Sequence, residues 1–231
     1  YFDRLFVDAL NSNTPQIVLL GAGYDSRAYR FANSNHGTRI FELDAAPTQD
    51  RKKKCLRKAR VEFPQHVTFV PIDFNQESLG DALERAGYAS DQKTLFIWEG
   101  VSYYLEVESV TTTLEFVSHG SHPESAIAFD YTISVSEENI GDYYGVKEFA
   151  QTMKEHHANE ELMFSIDEGE TESFLRQRGL RMVEHLNNEE IESAFLLDEN
   201  GSRIGQMTGH FRFVLAVPEA SQEHEKLSSA S

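Results

Sequence analysis

The sequence predicts an α/β fold in which a mostly parallel β-sheet carries helices on both faces. Short, almost continuously apolar runs alternate with helical patterns through the first two-thirds of the chain, as expected for βαβ units with strands covered on both sides. The last two apolar runs lie too close in sequence for a long crossover helix, so they are predicted to pair antiparallel. The 231 residues indicate one domain, because a domain commonly holds about 100–200 residues.

Seven runs are predicted to be strands: 16–20, 39–44, 67–72, 94–98, 125–130, 180–185 and 210–217. Pro47 suits the first turn of a helix after the second strand. One buried helix face after the fourth strand is predicted from helical spacing, with Val107, Val110, Leu114 and Val117. Shorter helices are expected at 170–177 and around Ile191, Ala194 and Phe195.

An insert is predicted at residues 134–165, after the fifth strand, where the alternation lapses. From 137 to 199 there are seventeen acids against five bases, a shift that indicates an insertion within one domain spanning 1–218. The insert could cover a pocket with Tyr143, Tyr144, Phe149 and Met153. The polar residues 219–231 are predicted to form a disordered tail.

Charge and composition exclude several partners. Twenty-one Lys and Arg against thirty-eight Asp and Glu give a net charge of −17, which disfavours nucleic acid and anionic membrane surfaces. All apolar runs fall far short of the ~20 residues of a membrane-spanning helix. The single cysteine, Cys55, excludes an intramolecular disulfide and fits a reducing compartment such as the cytoplasm.

A basic run occupies residues 51–60, with seven Lys and Arg and no acid. Leu56, Ala59 and Phe63 recur within and just after it at helical spacing, so the run is interpreted as a solvated helix face. Cys55 lies in this helix and is predicted to be packed rather than nucleophilic.

The most informative motif, Leu-Gly-Ala-Gly-Tyr-Asp-Ser-Arg at 20–27, directly follows the first strand. Its glycines, Gly21 and Gly23, would let the backbone approach a ligand closely. The N-terminus of the next helix would offer free N–H groups, and Asp25 or Ser26 is expected to cap it.

Carboxylates follow successive strand ends. Glu42 and Asp44 lie 19 and 21 residues after Gly23, where a doubly wound fold places the acid that binds a ribose. Asp73 follows the third strand and Glu99 the fourth. Carboxylates in this crevice could accept hydrogen bonds from an adenine amino group, ribose hydroxyls and an α-ammonium group.

The turn favours a cationic or zwitterionic nucleotide over NAD. Ser26 stands where a dinucleotide fingerprint has its third glycine. Asp25 is unfavourable beside a pyrophosphate but acceptable beside a positive charge. S-adenosylmethionine is such a ligand.

Three segments carry a family resemblance: 20–30 (LGAGYDSRAYR), 41–44 (FELD) and 98–105 (WEGVSYYL). Together with Tyr-Phe-Asp at 1–3, and in this order, they resemble the leucine carboxyl methyltransferase-like, S-adenosylmethionine-dependent methyltransferases. The resemblance is strongest to the bacterial-type branch linked with small-molecule O-methylation. It covers roughly the first half, and in the second half rests mainly on 174–180 (FLRQRGL).

The resemblance implies a Rossmann-like class I methyltransferase with a seven-stranded, mostly parallel sheet and an antiparallel last strand. It implies methyl transfer from S-adenosylmethionine to a carboxylate or hydroxyl of a small molecule, or to a protein C-terminal carboxylate. Its implied cofactor contacts are Gly21, Gly23, Asp25, Asp44 at the ribose with Glu42 as second choice, Asp73 and Phe74 near adenine, and Glu99. Tyr104 matches a position near the acceptor.

Family members carry an arginine just upstream of the Tyr-Phe-Asp match, and this sequence begins after it. The sequence is therefore either a fragment, or the role passes to another residue such as Arg27. Two alternatives from other classes stay open: an NAD-dependent oxidoreductase, and a cofactor-binding module without catalysis.

A metal site is not predicted. The pairs His119 and His122, and His156 and His157, lack a companion carboxylate motif and are interpreted as surface residues. The sequence leaves open the acceptor, the need for a general base and the oligomeric state.

Overall fold

One sheet runs through the computed structural model, which describes residues 1–156 and 161–219. Its strands are β1 (Gln16–Leu20), β2 (Arg39–Asp44), β3 (Val67–Pro71), β4 (Thr94–Trp98), β5 (Ala126–Thr132), β6 (Leu180–Leu186) and β7 (Phe211–Pro218). They lie in the order β3-β2-β1-β4-β5-β7-β6. β7 runs in the opposite direction to the other six strands of this sheet. The predicted mostly parallel sheet with an antiparallel last strand is confirmed.

Helices connect the strands, as the alternation predicts. In the described residues they are α1 (Phe2–Asn11), α2 (Arg27–Arg30), α3 (Ala46–Lys58), α4 (Leu79–Arg85), α5 (Val107–His119), α6 (Val146–His156), α7 (Thr171–Arg176) and α8 (Asn188–Phe195). Three 3-10 turns cover Ala32–Ser34, Ser102–Tyr104 and Ile140–Asp142.

Alternate side chains of the central strands enter two separate cores. Val18 and Leu20 of β1 belong to the larger core, which also contains buried residues of α4, α5 and α7. Ile17 and Leu19 belong to the smaller core with α1 and α2. Burial on both faces explains why these strands read as continuous apolar runs.

The predicted buried face of α5 is correct except at its start. Val110, Leu114 and Val117 are buried, whereas Val107 is 51% exposed. Val107 is the first residue of the helix, so the apolar stripe meets the core only one turn later. In α8, Ile191 is buried as predicted, but Ala194 is exposed.

The solvated-face interpretation of the basic run is wrong at one position. Lys52 is only 3% exposed, because α3 turns it toward the sheet and the carboxylate of Glu42. Phe63 lies beyond the helix, which ends at Lys58. Cys55 is exposed on α3 rather than packed.

Contacts join the two ends of the segment 134–165, which is predicted as an insert. Ile133 and Ile166 form an isolated parallel bridge, and the hydroxyls of Ser134 and Ser165 lie 2.9 Å apart. The predicted tail begins with an anchored residue, since the Glu219 backbone N–H donates to the Gly179 carbonyl. The rest of that tail, 220–231, lies outside the described residues. In the described ranges, no helix is long and apolar enough to cross a membrane.

Candidate functional site

A cleft of about 280 Å³ opens at the carboxyl ends of β1 and β4. β1 pairs with β2 on one side and with β4 on the other, so the strand order reverses here. Open α/β sheets bind ligands at such a switch point. Five predicted site residues line the cleft: Gly21, Gly23, Asp25, Arg27 and Glu99.

Both glycines of the turn have left-handed backbone conformations, with φ of +64° at Gly21 and +38° at Gly23. A Cβ at Gly21 would collide with the Val101 side chain, whereas at Gly23 it would meet no atom closer than 3.8 Å. Gly21 therefore lets the turn pack closely against the segment after β4, whereas a Cβ at Gly23 would make only ordinary van der Waals contacts.

Gly21→Ala is expected to destabilise the fold by about 1–3 kcal/mol, the usual cost of overpacking. In a chain of this size that lowers Tm by roughly 2–4 °C per kcal/mol. Gly23→Ala is the matched control, because it adds the same methyl group at a positive φ without a collision. Urea unfolding of both variants checks this. The collision between Gly21→Ala and Val101 would be contradicted if both glycine variants lost the same stability. It would also be contradicted if adding Val101→Ala to Gly21→Ala restored none of the lost stability.

Asp44 lies beside this turn, at the end of β2. Its Oδ2 accepts the Gly23 backbone N–H at 2.6 Å, and its Oδ1 accepts the Ala45 N–H at 2.7 Å. A carboxylate has about four acceptor positions. Two of them therefore remain for donors on a ligand, as the ribose role requires.

Glu42, the second choice for the ribose, is placed elsewhere. Its side chain is 1% exposed and its Oε2 accepts from Lys52 Nζ at 2.7 Å. Burial raises the pKa of Glu42 to about 6, against the opposing effect of Lys52. The pair lies inside the protein, and the structure leaves Asp44 as the acid beside the turn.

Arg27 ties the rim of the cleft together. Its buried guanidinium donates to Asp3 at 2.8 Å and to Asp25 at 2.5 Å, and also to Glu99. These carboxylates come from α1, the glycine turn and the end of β4. Hydrogen bonding to Arg30, and then to Arg27, lowers the pKa of Asp3. Three carboxylates thus meet at the rim of the cleft.

The helix after the turn is shorter than expected, since α2 has only four residues. Asp25 Oδ1 accepts the Arg27 backbone N–H at 2.7 Å. The N-cap residue, however, is Ser26, and its side chain makes no capping hydrogen bond. The Ser26 hydroxyl instead accepts from Arg30 Nε.

The lining of the cleft in the described part of the chain does not include Asp44, Asp73, Phe74 or Tyr104. Asp73 is exposed after β3 and accepts from the Asn75 backbone N–H at 3.0 Å. Phe74 lines a separate cavity of about 250 Å³ beside α4 and α5. Tyr104, in the turn after β4, packs against the ring of Tyr103 with 4.8 Å between centroids.

Asp130, at the end region of β5, is a candidate that the sequence analysis did not single out. It is 6% exposed, and its Oδ1 accepts the Gly100 N–H at 2.8 Å. Burial raises its pKa to about 7, with a further increase from Glu99. Asp130 could have been found in the sequence, because it is an aspartate at the end of an apolar run. The same pattern identified Asp44.

Asp130→Asn is expected to change how stability depends on pH. The pKa rises from 3.8 to about 7 on folding, so the native chain binds more protons than the unfolded chain in this window. The contribution of Asp130 to wild-type stability therefore falls as pH rises from about 4 to 7, by up to about 1.4 kcal/mol per pKa unit. The variant should lose this slope and gain stability most at pH 8.

Urea unfolding at pH 5 and pH 8 tests this, with exposed Asp91→Asn as a control that keeps the wild-type slope. Parallel pH dependences for wild type and Asp130→Asn would contradict the burial argument.

A larger cavity of about 640 Å³ lies under the insert. Phe149 and Met153 line it as predicted. Tyr143 and Tyr144 are directed elsewhere: the Tyr143 hydroxyl donates to Glu168 at 3.0 Å, and Tyr144 is 55% exposed.

Tyr103 connects the cavity wall to the turn after β4. Its carbonyl accepts the Met163 N–H at 2.8 Å, and Met163 lines the cavity. Its ring packs on Phe211 with 5.5 Å between centroids. The cavity and the end of β4, where Glu99 lines the cleft, are therefore joined by a short segment.

No group of three or more His, Cys, Asp or Glu that could hold a metal occurs within 1–156 and 161–219. His119 Nδ1 lies 2.8 Å from the Ser118 hydroxyl, and His122 Nδ1 accepts the Glu124 N–H. The His156 side chain and His157 lie outside the described residues.

Solved structures share this fold. The mitomycin 7-O-methyltransferase MmcR aligns with a TM-score of 0.56, covering 94% of this chain and 53% of that chain at 14% identity. The strand order and this similarity define a Rossmann-like fold of the methyltransferase type, as predicted.

The leucine carboxyl methyltransferase model matches residues 1–118, and the chain belongs to this family. YktD of Bacillus subtilis (strain 168), provisionally named an S-adenosyl-L-methionine-dependent methyltransferase, is 29% identical over 213 residues. That match covers 91% of this chain and 68% of YktD.

FRAAL3718 of Frankia alni, with the same provisional name, is 39% identical over 117 residues, covering 51% of this chain and 40% of the relative. The chain thus spans only part of the relatives it matches. The family resemblance found in the sequence is confirmed.

Proposed function

We propose that the chain binds S-adenosylmethionine in the cleft between β1 and β4 and transfers its methyl group to an oxygen of a small molecule. The acceptor oxygen would belong to a carboxylate or a hydroxyl. The observation that carries the proposal is the Asp44 carboxylate bonded to the Gly23 N–H at the switch point. Family membership and the names of the relatives support it.

The cleft suits this donor in shape and charge. Gly23 lines the cleft and has no side chain, which lets a ligand approach its backbone closely. Carboxylates of Asp3, Asp25 and Glu99 surround Arg27 at the rim, which favours a ligand bearing sulfonium and ammonium charges. An NAD-dependent oxidoreductase is not favoured, because Ser26 replaces the third glycine and the family is one of methyltransferases.

Bound S-adenosylmethionine supplies a methyl group on sulfur that is already activated for transfer. The protein's task is then to bind and orient, which in well-aligned systems accounts for up to ~7–11 kcal/mol of the barrier. Asp44 would hold the ribose hydroxyls, and Asp73 with Phe74 would contact the adenine side. Glu99 and Asp25 would face the charged end, with Arg27 fixing both carboxylates.

The acceptor would bind in the cavity under the insert, within the single domain 1–218. Its volume of about 640 Å³ lies in the ~300–1,000 Å³ range of small-molecule sites. Tyr103 connects its wall to the turn beside Glu99, and Tyr104 in that turn would help orient the acceptor.

Turnover with methyl-labelled S-adenosylmethionine tests the proposal. A panel of small carboxylic acids, phenols and alcohols should include acceptors that become labelled as S-adenosylhomocysteine is released in equal amount. A peptide ending in a free carboxylate serves as the protein-type comparison. Cofactor binding without label in any acceptor would instead favour a binding module without catalysis.

A further inference from the structure

His210 is a buried polar side chain with unmet hydrogen-bonding capacity in the described structure. It is 3% exposed, and neither Nδ1 nor Nε2 has a hydrogen-bond partner among the described residues. Buried polar atoms are normally paired, and leaving one unpaired commonly costs about 1–3 kcal/mol. An orphaned imidazole therefore points to a missing partner.

His210 also lines the cavity under the insert. Its ring packs against Phe149, with 5.0 Å between centroids, and against Phe211 at 4.5 Å. These aromatic contacts hold the imidazole at the cavity wall. Both ring nitrogens are shielded from solvent, so a ligand in the cavity can supply the missing partner when the ring turns a nitrogen toward it.

The small hydroxyls of the same wall are already engaged. The Thr132 hydroxyl donates to the Phe164 carbonyl, and the hydroxyls of Ser134 and Ser165 bond to each other. The remaining lining is mainly apolar, with side chains such as Ile133, Val135, Ile140, Val146, Met153 and Leu162.

The charged lining residues, Lys154 and Glu161, are both exposed and opposite in sign. Their charges cancel, so the cavity lining has no net charge that would favour an anionic ligand. The buried end of the cavity is therefore an apolar surface with one imidazole that still needs a partner.

We propose that His210 binds a hydroxyl group of the methyl acceptor, and that the acceptor is an uncharged, mainly apolar molecule such as a phenol or aromatic alcohol. This inference rests on the proposed function, whose two acceptor classes it narrows to hydroxyl compounds. Neutral imidazole can accept a hydrogen bond at one nitrogen and donate at the other, which matches a hydroxyl. Burial, with a further effect from Arg212, lowers the pKa of His210 to about 4, so it is neutral near pH 7.

Calorimetry with 2-naphthol, 2-naphthoate and 2-methylnaphthalene as probes tests the inference. Wild type should bind 2-naphthol about tenfold more tightly than 2-methylnaphthalene, which corresponds to one hydrogen bond worth about 1.4 kcal/mol. 2-Naphthoate should bind more weakly than 2-naphthol. Met153→Trp, which fills the cavity from α6, should abolish 2-naphthol binding.

His210→Leu should remove the preference for the hydroxyl, whereas His210→Gln should keep part of it. A merely structural role would lower the affinity for both probes and leave their ratio unchanged. His36→Leu is the control, since His36 is exposed and does not line the cavity. Thermal unfolding confirms that each variant is folded.

The inference would be overturned if His210→Leu kept the preference for 2-naphthol over 2-methylnaphthalene. It would also be overturned if wild type bound 2-naphthoate more tightly than 2-naphthol, or did not bind 2-naphthol. A separate titration with S-adenosylhomocysteine distinguishes failure of the inference about His210 from failure of the proposed function. Intact S-adenosylhomocysteine binding together with any of these results would reject the role of His210 alone.

Discussion

Asp44→Asn is expected to weaken S-adenosylmethionine binding by at least about 100-fold. The asparagine side chain has one acceptor oxygen where the carboxylate has two, and Gly23 and Ala45 both donate to Asp44. The variant must lose a turn contact, ligand contacts or both. Hydrogen bonds to charged groups are worth about 1.5–3 kcal/mol each, so two of them exceed a factor of about 100.

Calorimetric titration with S-adenosylmethionine measures this effect. Asp198→Asn is the matched control, because Asp198 Oδ1 also accepts two backbone N–H groups, from Asn200 and Ser202. Asp198 bonds to its own turn after α8 and not to the glycine turn, so this variant should bind with wild-type affinity. Near-normal binding by Asp44→Asn would show that the ribose acid lies elsewhere.

Lys52→Met is expected to destabilise the fold by about 3–5 kcal/mol, the usual result of removing one partner from a buried ion pair. The side chains of Lys52 and Glu42 are 4% and 1% exposed, so water cannot replace the lost ammonium. The loss should be smaller at pH 5 than at pH 8. The pKa of Glu42 is already raised to about 6 by burial, so at pH 5 its carboxyl is mostly protonated and uncharged.

Urea unfolding measures the stability of this variant. Lys54→Met on the same helix is the control, because Lys54 is exposed. Adding Glu42→Leu to Lys52→Met should recover much of the loss, since an apolar pair leaves no isolated charge. A loss below about 1 kcal/mol for Lys52→Met, or no recovery in the double variant, would contradict a buried pair.

The sheet could be predicted because its strands have unusually clear patterns. β1, β2 and β4 lie in the middle of the parallel sheet and are buried on both faces. Their apolar runs therefore begin and end where the strands do. The antiparallel pairing of β7 was predicted correctly. The connection 187–210 nevertheless contains α8 and is longer than the connection 21–38 between the parallel strands β1 and β2, so its length did not determine the strand direction.

Side-chain direction was harder to predict than element position. The spacing of the basic run placed it on a helix but gave no reason to bury Lys52, because its partner Glu42 lies on a different strand. Cys55 and Val107 were misassigned for the same reason: periodicity within one element does not show what packs against it.

For the site, sequence order was enough to bring Gly21, Gly23, Asp44 and Glu99 to one edge of the sheet. Parallel strands connected by helices end at the same edge, so residues after each strand meet there. Asp130 and His210 were not identified as site residues. Their significance depends on burial and on the absence of described hydrogen-bond partners for His210, which are properties of the folded chain.

The most direct test of the account is a calorimetric titration of the purified chain with S-adenosylmethionine, S-adenosylhomocysteine and NAD in parallel. The account predicts that the first two bind at one site and that NAD does not. Binding of NAD alone, or no binding of any of the three, would contradict the assignment of the cleft between β1 and β4 to S-adenosylmethionine.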